Sequence, residues 1–223
     1  FGYVTDGFFS QEDVEKYAIN KGMEGGIPDH NFSPKAGDVK YRDLNGDYKI
    51  DDKDVAAIGY PKYPLLTGNM SLGFSWNGLD FSMVWSGAFK TSRLVSSFYR
   101  VPFDTTNNRA LLSYMIKDAW TPEKGNSSTA PAISFGASKA NNYKDSDLWL
   151  RDASYVRLKN IELGYSFPKQ IVKKMHLGTL RLSVSGYNLL TFDDMGFCDP
   201  ESNPDGQAYP LIKVVNFGLK VGF

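Results

Sequence analysis

The residues whose types and spacing could do chemistry stand together in D-L-N-G-D-Y-K-I-D-D-K-D, Asp43 to Asp54. Counted from Asp43, side-chain oxygens fall at the first, third, fifth, ninth and twelfth places: Asp43, Asn45, Asp47, Asp51 and Asp54. Lys49 at the seventh would offer its backbone carbonyl, and Ile50 at the eighth an apolar anchor. Hard oxygen donors in this order suit Ca²⁺, so the loop is a candidate site for a structural Ca²⁺ or similar hard cation. A catalytic metal is not implied, because such a loop leaves no open position beside a base. Two residues depart from the pattern. Tyr48 occupies the sixth place, where the sharp turn favours glycine, and Asp54 is shorter than the usual bidentate glutamate. The same residues also read as an acidic Asn-Gly turn leading into a short helix over Lys53 to Ala57.

Other reactive side chains are sparse. His30 and His176 are the only histidines, one in a glycine-proline loop and the other in a basic turn, so no Ser-His-acid or zinc constellation is expected and the chain does not read as an enzyme. The single cysteine, Cys198, can form no internal disulfide. With 25 basic and 25 acidic side chains the formal charge is zero, which gives no electrostatic argument for a nucleic-acid partner. Trp120, Tyr143 and Trp149 lie in a long polar stretch; they could stack on sugar rings, or pack the stretch against its surroundings.

These groups must be positioned by strands. Val215, Phe217, Leu219, Val221 and Phe223 alternate with Asn216, Gly218, Lys220 and Gly222, the period of a strand with two unlike faces. Met70, Leu72, Phe74 and Trp76 alternate in the same way, Asn77-Gly78 makes a tight hairpin turn, and Leu79, Phe81, Met83 and Trp85 return. Ile161, Leu163, Tyr165 and Phe167 oppose Asn160, Glu162, Gly164 and Ser166, and Leu180, Leu182 and Val184 oppose Arg181, Ser183 and Ser185. Helical pieces are expected at about Gln11 to Ala18 behind Ser10, within Arg109 to Trp120, and at Gln170 to Lys174.

One face is large and apolar, the other small and polar, and each strand is long enough to cross a bilayer at a tilt. The fold class is therefore all-β: about five antiparallel strands of a larger transmembrane β-barrel, with long loops and short helical turns. No run of about 18 apolar residues is present, so a helical membrane protein is excluded. Asn77-Gly78 and Pro168 to Gly178 are short connections, whereas the segments before Gly68, from Lys90 to Ser154 and from Phe192 to Pro210 are long. In an outer-membrane barrel the long ones face outside and Phe223 lies at the periplasmic rim. Residues 1–66 then form an extracellular loop region holding the acidic loop, and residues 67–223 the last strands and loops of the barrel. Arg181, Glu162 and Lys220 should point into the lumen. The chain, which begins at Phe1, reads as the C-terminal piece of something longer, although a processed mature chain would look the same. Five strands alone cannot close. The alternative is a soluble, calcium-dependent β-sandwich binding or adhesion module, in which the Phe74, Trp76, Phe81 and Trp85 surface would be buried between two sheets.

Several ordered stretches carry a resemblance: G-D-V-K-Y-R-D-L-N-G-D-Y-K-I-D-D-K-D (Gly37 to Asp54), I-G-Y-P-K-Y-P (Ile58 to Pro64), A-W-T-P-E (Ala119 to Glu123), S-Y-V-R-L-K-N-I-E-L-G-Y-S-F-P (Ser154 to Pro168), L-R-L-S-V-S-G-Y-N-L-L-T-F (Leu180 to Phe192) and D-P-E (Asp199 to Glu201). Together they resemble the C-terminal region of SusC/RagA-like TonB-dependent outer-membrane transporters of Bacteroidetes. The resemblance implies a barrel of about 22 strands with an N-terminal plug, import of oligosaccharides or peptides driven through TonB, and a SusD-like surface lipoprotein as partner. Where the family frequently has glycine, this sequence has Tyr48.

Overall fold

The computed structural model describes residues 1–103, 110–196, 198–202, 209 and 211–223. Arg109, at the start of the expected helix, and Asn203 to Gly206 of the last polar loop lie outside the described residues. The chain forms two compact units. One comprises Phe1–Gly59 with Arg93–Arg151, the other Tyr60–Ser92 with the described residues from Asp152 onwards. The expected division at residues 66 and 67 thus differs from the observed grouping in two ways: the break falls at Gly59, and the stretch from Arg93 joins the N-terminal region.

In the first unit, β1 (Gly2–Tyr3) pairs with β4 (Val55–Ala56) and β2 (Thr5–Phe8) with β3 (Val39–Tyr41), both antiparallel. Pairing with Tyr3 and Gly2 draws Val55 and Ala56 into a strand, so the helix expected over Lys53 to Ala57 is only a 3-10 turn at Asp52–Asp54. Helix α1 (Gln11–Asn20) runs past Ala18. Its start is fixed by a reciprocal cap, in which Ser10 Oγ accepts from Asp13 N at 3.0 Å and Asp13 Oδ2 from Ser10 N at 3.1 Å. Phe8, Val39, Tyr41 and Ile50 form the core, with Tyr3, Trp120 and Leu148 against it.

The long middle stretch is ordered by short helices, α2 (Ser97–Arg100), α3 (Ser113–Asp118) and α4 (Gly136–Asn142). Buried amides at the end of α4 tie it down. Asn142 Oδ1 accepts from Val39 N at 2.8 Å, Asn142 Nδ2 donates to Asp38 Oδ1 at 2.8 Å, and Asn141 Nδ2 donates to Val39 O at 2.8 Å. These bonds satisfy strand groups that no neighbouring strand reaches, which is why a polar stretch of this length stays compact.

Short strands β7 (Ser92–Leu94) and β8 (Leu150–Asp152) lie where the chain passes between units. The second unit is one antiparallel sheet of β5 (Leu66–Trp76), β6 (Leu79–Phe89), β9 (Tyr155–Ser166), β10 (Thr179–Asp193) and β11 (Val214–Gly222), in the order β11-β10-β9-β6-β5. Asn77 and Gly78 both have positive φ, 48° and 86°, which matches the twist of the strands they join. A Cβ on Gly78 would stand 2.5 Å from Ser166 O, so the turn also needs glycine for space. Helix α5 (Lys169–Lys174) connects β9 to β10.

Register aligns the apolar residues into rows across all five strands. Phe74, Phe81, Leu163, Val184 and Phe217 form one row, and Trp76, Leu79, Tyr165, Leu182 and Leu219 the next. The polar row between them reads Ser75, Asp80, Gly164, Ser183 and Gly218. Phe74, Trp76 and Phe217 are 55%, 74% and 86% exposed. The β-sandwich alternative requires a second sheet over this surface, and among the described residues of this unit there is none.

His30 pins the first unit. Buried at 3% exposure, it accepts from Tyr41 N at Nε2 (2.9 Å), while Nδ1 faces Pro28 O at 2.8 Å and so carries the proton. Burial is the main reason its pKa falls from 6.5 to about 4; the Pro28 carbonyl opposes the shift and Lys144 adds to it. Because the folded pKa lies below the unfolded one, the stability contributed by this group is complete above pH 6.5 and declines as pH drops towards 4, by about 3 kcal/mol. Protonated Nε2 can no longer accept from Tyr41. Hydrogen-exchange protection of the Tyr41 amide, corrected for intrinsic rate, is expected to fall over that window, and protection that stays flat would refute this role.

Candidate functional site

The polar face carries two charge networks. In the first, Arg181 on β10 reaches across β9 to Asp80 on β6. Its Nη1 pairs with Asp80 Oδ1, and its Nη2 donates to Asp80 Oδ2 at 2.7 Å and to Glu162 Oε1 at 2.9 Å. The guanidinium lies over Gly164, where a Cβ would be 2.3 Å from Nη2. Gly164 thus leaves room for the guanidinium, which a Cβ there would push aside. Lys220 stands opposite Arg181 in the register, so the three charged residues expected to share a face do so. Around them are Ser82, Ser183, Ser185 and Asn216, small groups suited to a hydrated wall.

The second network is one that alternation alone hid. β9 and β10 carry paired irregularities, at Lys159 and at Asn188-Leu189, where Asn188 has φ 52°. Alternation reverses there, so that Leu158 pairs with Trp85 while Arg157 falls on the polar face with Ser86 and Thr191. Arg157 is fully buried. Its Nε donates to Thr191 Oγ1 at 2.9 Å, its Nη1 to Glu201 Oε2 and its Nη2 to Asp199 Oδ2. Lys159 Nζ adds a bond of 2.7 Å to Glu201 Oε2, and Tyr155 Oη donates to Glu201 Oε1. The D-P-E motif thus closes on a strand arginine. Both partners were visible in the sequence as motifs, but only the bulge places Arg157 where the carboxylates can reach it.

The acidic loop uses its oxygens on its own backbone. Asp43 Oδ1 accepts from Gly46 N at 2.7 Å and Asn45 N at 3.2 Å, and Asp43 Oδ2 from Tyr48 N at 2.7 Å. Asn45 Oδ1 accepts from Asp47 N, Asp47 Oδ1 from Lys49 N, and Asp51 Oδ1 from Lys53 N. Buried Asp54 accepts from Leu44 N at 2.9 Å and Asp51 N at 2.9 Å. Tyr48 takes the left-handed conformation, φ 61°, that the sixth place of a cation loop demands. Slight desolvation raises the Asp43 pKa, but the backbone donors of Gly46, Tyr48 and Asn45 outweigh it and hold the carboxyl below its usual range. Among the described residues, no three His, Cys, Asp or Glu side chains gather where one ion would touch them all. Asp43, Asn45, Asp47, Lys49, Asp51 and Asp54 are neighbours in this one turn.

Of the aromatic residues, Trp149 is buried and donates Nε1 to Asn142 O at 2.9 Å, with the Tyr143 ring 5.4 Å away. Trp120 packs over Gly37, where a Cβ would approach it to 2.6 Å. Trp149 is buried and holds the stretch in place, and Tyr143 is half-buried against it.

No protein-family profile matches the sequence. Among curated proteins, it is 27% identical over its whole length to TonB-dependent receptor P3 of Formosa agariphila, covering 22% of that protein. It is 25% identical, again over its whole length, to TonB-dependent receptor SusC of Bacteroides thetaiotaomicron, covering 20% of it. The chain is similar over its whole length to curated TonB-dependent receptors, SusC among them. Among solved structures, the RagAB peptide importer in its open-open state matches 84% of the chain and 21% of its own, with TM-score 0.62 at 22% identity, a likeness of fold. The RagAB peptide transporter matches with TM-score 0.63 at 20% identity over the same shares. The chain thus spans about a fifth of the length of these curated relatives.

Breaking the Arg157 clamp is costly, because it leaves Asp199 and Glu201 without the guanidinium that holds them. Arg157→Met is expected to cost about 3–5 kcal/mol and to open the loop at residues 194–202 to protease. Arg157→Lys, which keeps the charge but loses the fork, should fall between the two. Wild-type melting and cleavage in the methionine variant would contradict the assignment.

Proposed function

We propose that this chain forms wall and surface loops of an outer-membrane TonB-dependent transporter that imports oligosaccharides or peptides together with a SusD-like surface lipoprotein. The observation that carries this reading is the apolar band, unbroken across five strands, set against a polar face on which Arg157 and Arg181 are paired with carboxylates. A band of that kind is stable in hydrocarbon and costly in water. The sequence relatives bear receptor names, and the solved structures with this fold are described as a peptide importer or transporter, which supports uptake of a polar solute. On this reading the end of the sheet with short connections faces the periplasm and the long segments face outside. Energy coupling through TonB belongs to parts of the relatives that this chain does not cover.

The test uses the protein that carries this chain, expressed in full. It is expected to fractionate with the outer membrane and to migrate as a heat-modifiable barrel in detergent. Phe217→Arg and Phe74→Arg, on the band, should each cost about 2–4 kcal/mol near the midplane and lower the folded fraction. Ser183→Asn, on the opposite face, should assemble normally. Soluble protein, or equal tolerance of arginine and asparagine, would exclude the barrel.

For the acidic loop we propose a turn held by its own backbone, with Ca²⁺ binding no tighter than about the millimolar range of weak loops. Three N–H groups already bond Asp43, which leaves it fewer lone pairs for an ion. Isothermal calorimetry with Ca²⁺ measures this directly, and micromolar binding would restore the cation-site reading.

A further inference from the structure

Resting on the membrane-barrel reading, we propose that α5 and the apolar groove beside it bind one anionic phospholipid of the surrounding bilayer. On a helical projection, Lys169, Lys173 and Lys174 occupy one arc, and Ile171, Val172 and Met175 the other. Val172 is buried and anchors the turn, its carbonyl accepting from Leu177 N at 3.1 Å. Ile171 and Met175 remain 47% and 54% exposed. A short basic and apolar element of this kind at the end of a lipid-facing sheet has the composition of a bilayer interface, with ammonium groups at the headgroups and apolar side chains just inside.

Three further observations point to an anionic lipid in place of generic surface contact. First, no acidic residue occurs from Phe167 to Leu180. Second, among the described residues Lys169, Lys173 and Lys174, gathered in one turn, make no salt bridge; in the sheet Arg157, Lys159 and Arg181 are paired and Lys220 is not. The charge complementarity of the turn is therefore unspent. Third, a groove of about 440 Å³ runs along the apolar face and is lined by Leu79, Leu163, Tyr165, Leu182, Phe217 and Leu219. Tyr165 lies four residues before Lys169, about 13 Å along an extended chain. A headgroup on the lysines would therefore bring an acyl chain into the groove. The phosphate supplies the charge that the three ammonium groups lack, and the chain covers apolar surface that the sheet leaves open.

The test compares full-length protein in nanodiscs of phosphatidylcholine with protein in phosphatidylcholine mixed with phosphatidylglycerol, scoring retained lipid by native mass spectrometry. Wild type is expected to retain phosphatidylglycerol preferentially. K169Q/K173Q/K174Q should weaken that preference by about two orders of magnitude, at roughly 1 kcal/mol per lysine, while K169R/K173R/K174R keeps it. A barrel that inserts and shows no preference, or a glutamine variant that keeps one, overturns the lipid site and leaves the transporter reading intact. A chain that enters neither bilayer overturns both.

Discussion

The rest of the sheet depends on one constraint: where water is absent, a strand must pair its backbone and keep its register. Side chains alternate with a period of two, so a slip of one residue would carry Glu162, Asp80 and Arg181 to the apolar face and bring Leu163 and Leu182 inward. Cross-strand contacts oppose that slip. Arg181 can bond Asp80 only if β6, β9 and β10 keep their alignment, and it can lie across β9 only because Gly164 has no Cβ. Asn77-Gly78 sets the same alignment from the turn, through the Ser166 N to Gly78 O bond at 2.7 Å. The turn specifies the register by one means, and the ion pair with the glycine it crosses by another.

The two arginines of the polar face show how exposure decides what a charge needs. Arg181 is partly exposed, so its carboxylate partners hold geometry more than they add stability. Arg157 is sealed from solvent and would be prohibitive alone. Two carboxylates and a threonine hydroxyl compensate it, and a lysine and a tyrosine then bind the excess oxygens of Glu201. This network fixes the start of the loop after β10, which makes Asp199 and Glu201 part of the wall.

Much of the sheet was legible because large apolar residues alternate with small polar ones: Phe74 to Trp76, Leu79 to Trp85, Ile161 to Tyr165 and Val215 to Val221 all lie on the faces their periodicity assigns. The strands nevertheless run longer than their clean alternation, β10 reaching Asp193, because the bulge at Asn188-Leu189 breaks the period without ending the pairing. The same bulge hid Arg157. In the first unit the strands are too short to show a period, and their partners come from residues far along the chain, as when Asn142 serves Val39. Local pattern carries no record of such contacts, so the stretch from Arg93 to Arg151 looked like an irregular loop when it is half of a compact unit.

The donor spacing of the acidic loop serves two kinds of contact. Oxygens at the first, third and fifth places are what a calcium loop supplies, but they are also what successive Asx turns require, since each such side chain accepts from the N–H two residues on. Asp43 to Asn45, Asn45 to Asp47, Asp47 to Lys49 and Asp51 to Lys53 are all of that kind. An ionised carboxylate offers about four lone-pair sites, so the two uses can share one side chain. Here Asp43 Oδ2 takes Tyr48 N, and Tyr48 adopts the left-handed backbone that brings this N–H to it. The strain of a tyrosine at φ 61°, of order 1 kcal/mol, is offset by a charge-assisted hydrogen bond, and the turn closes on its own backbone.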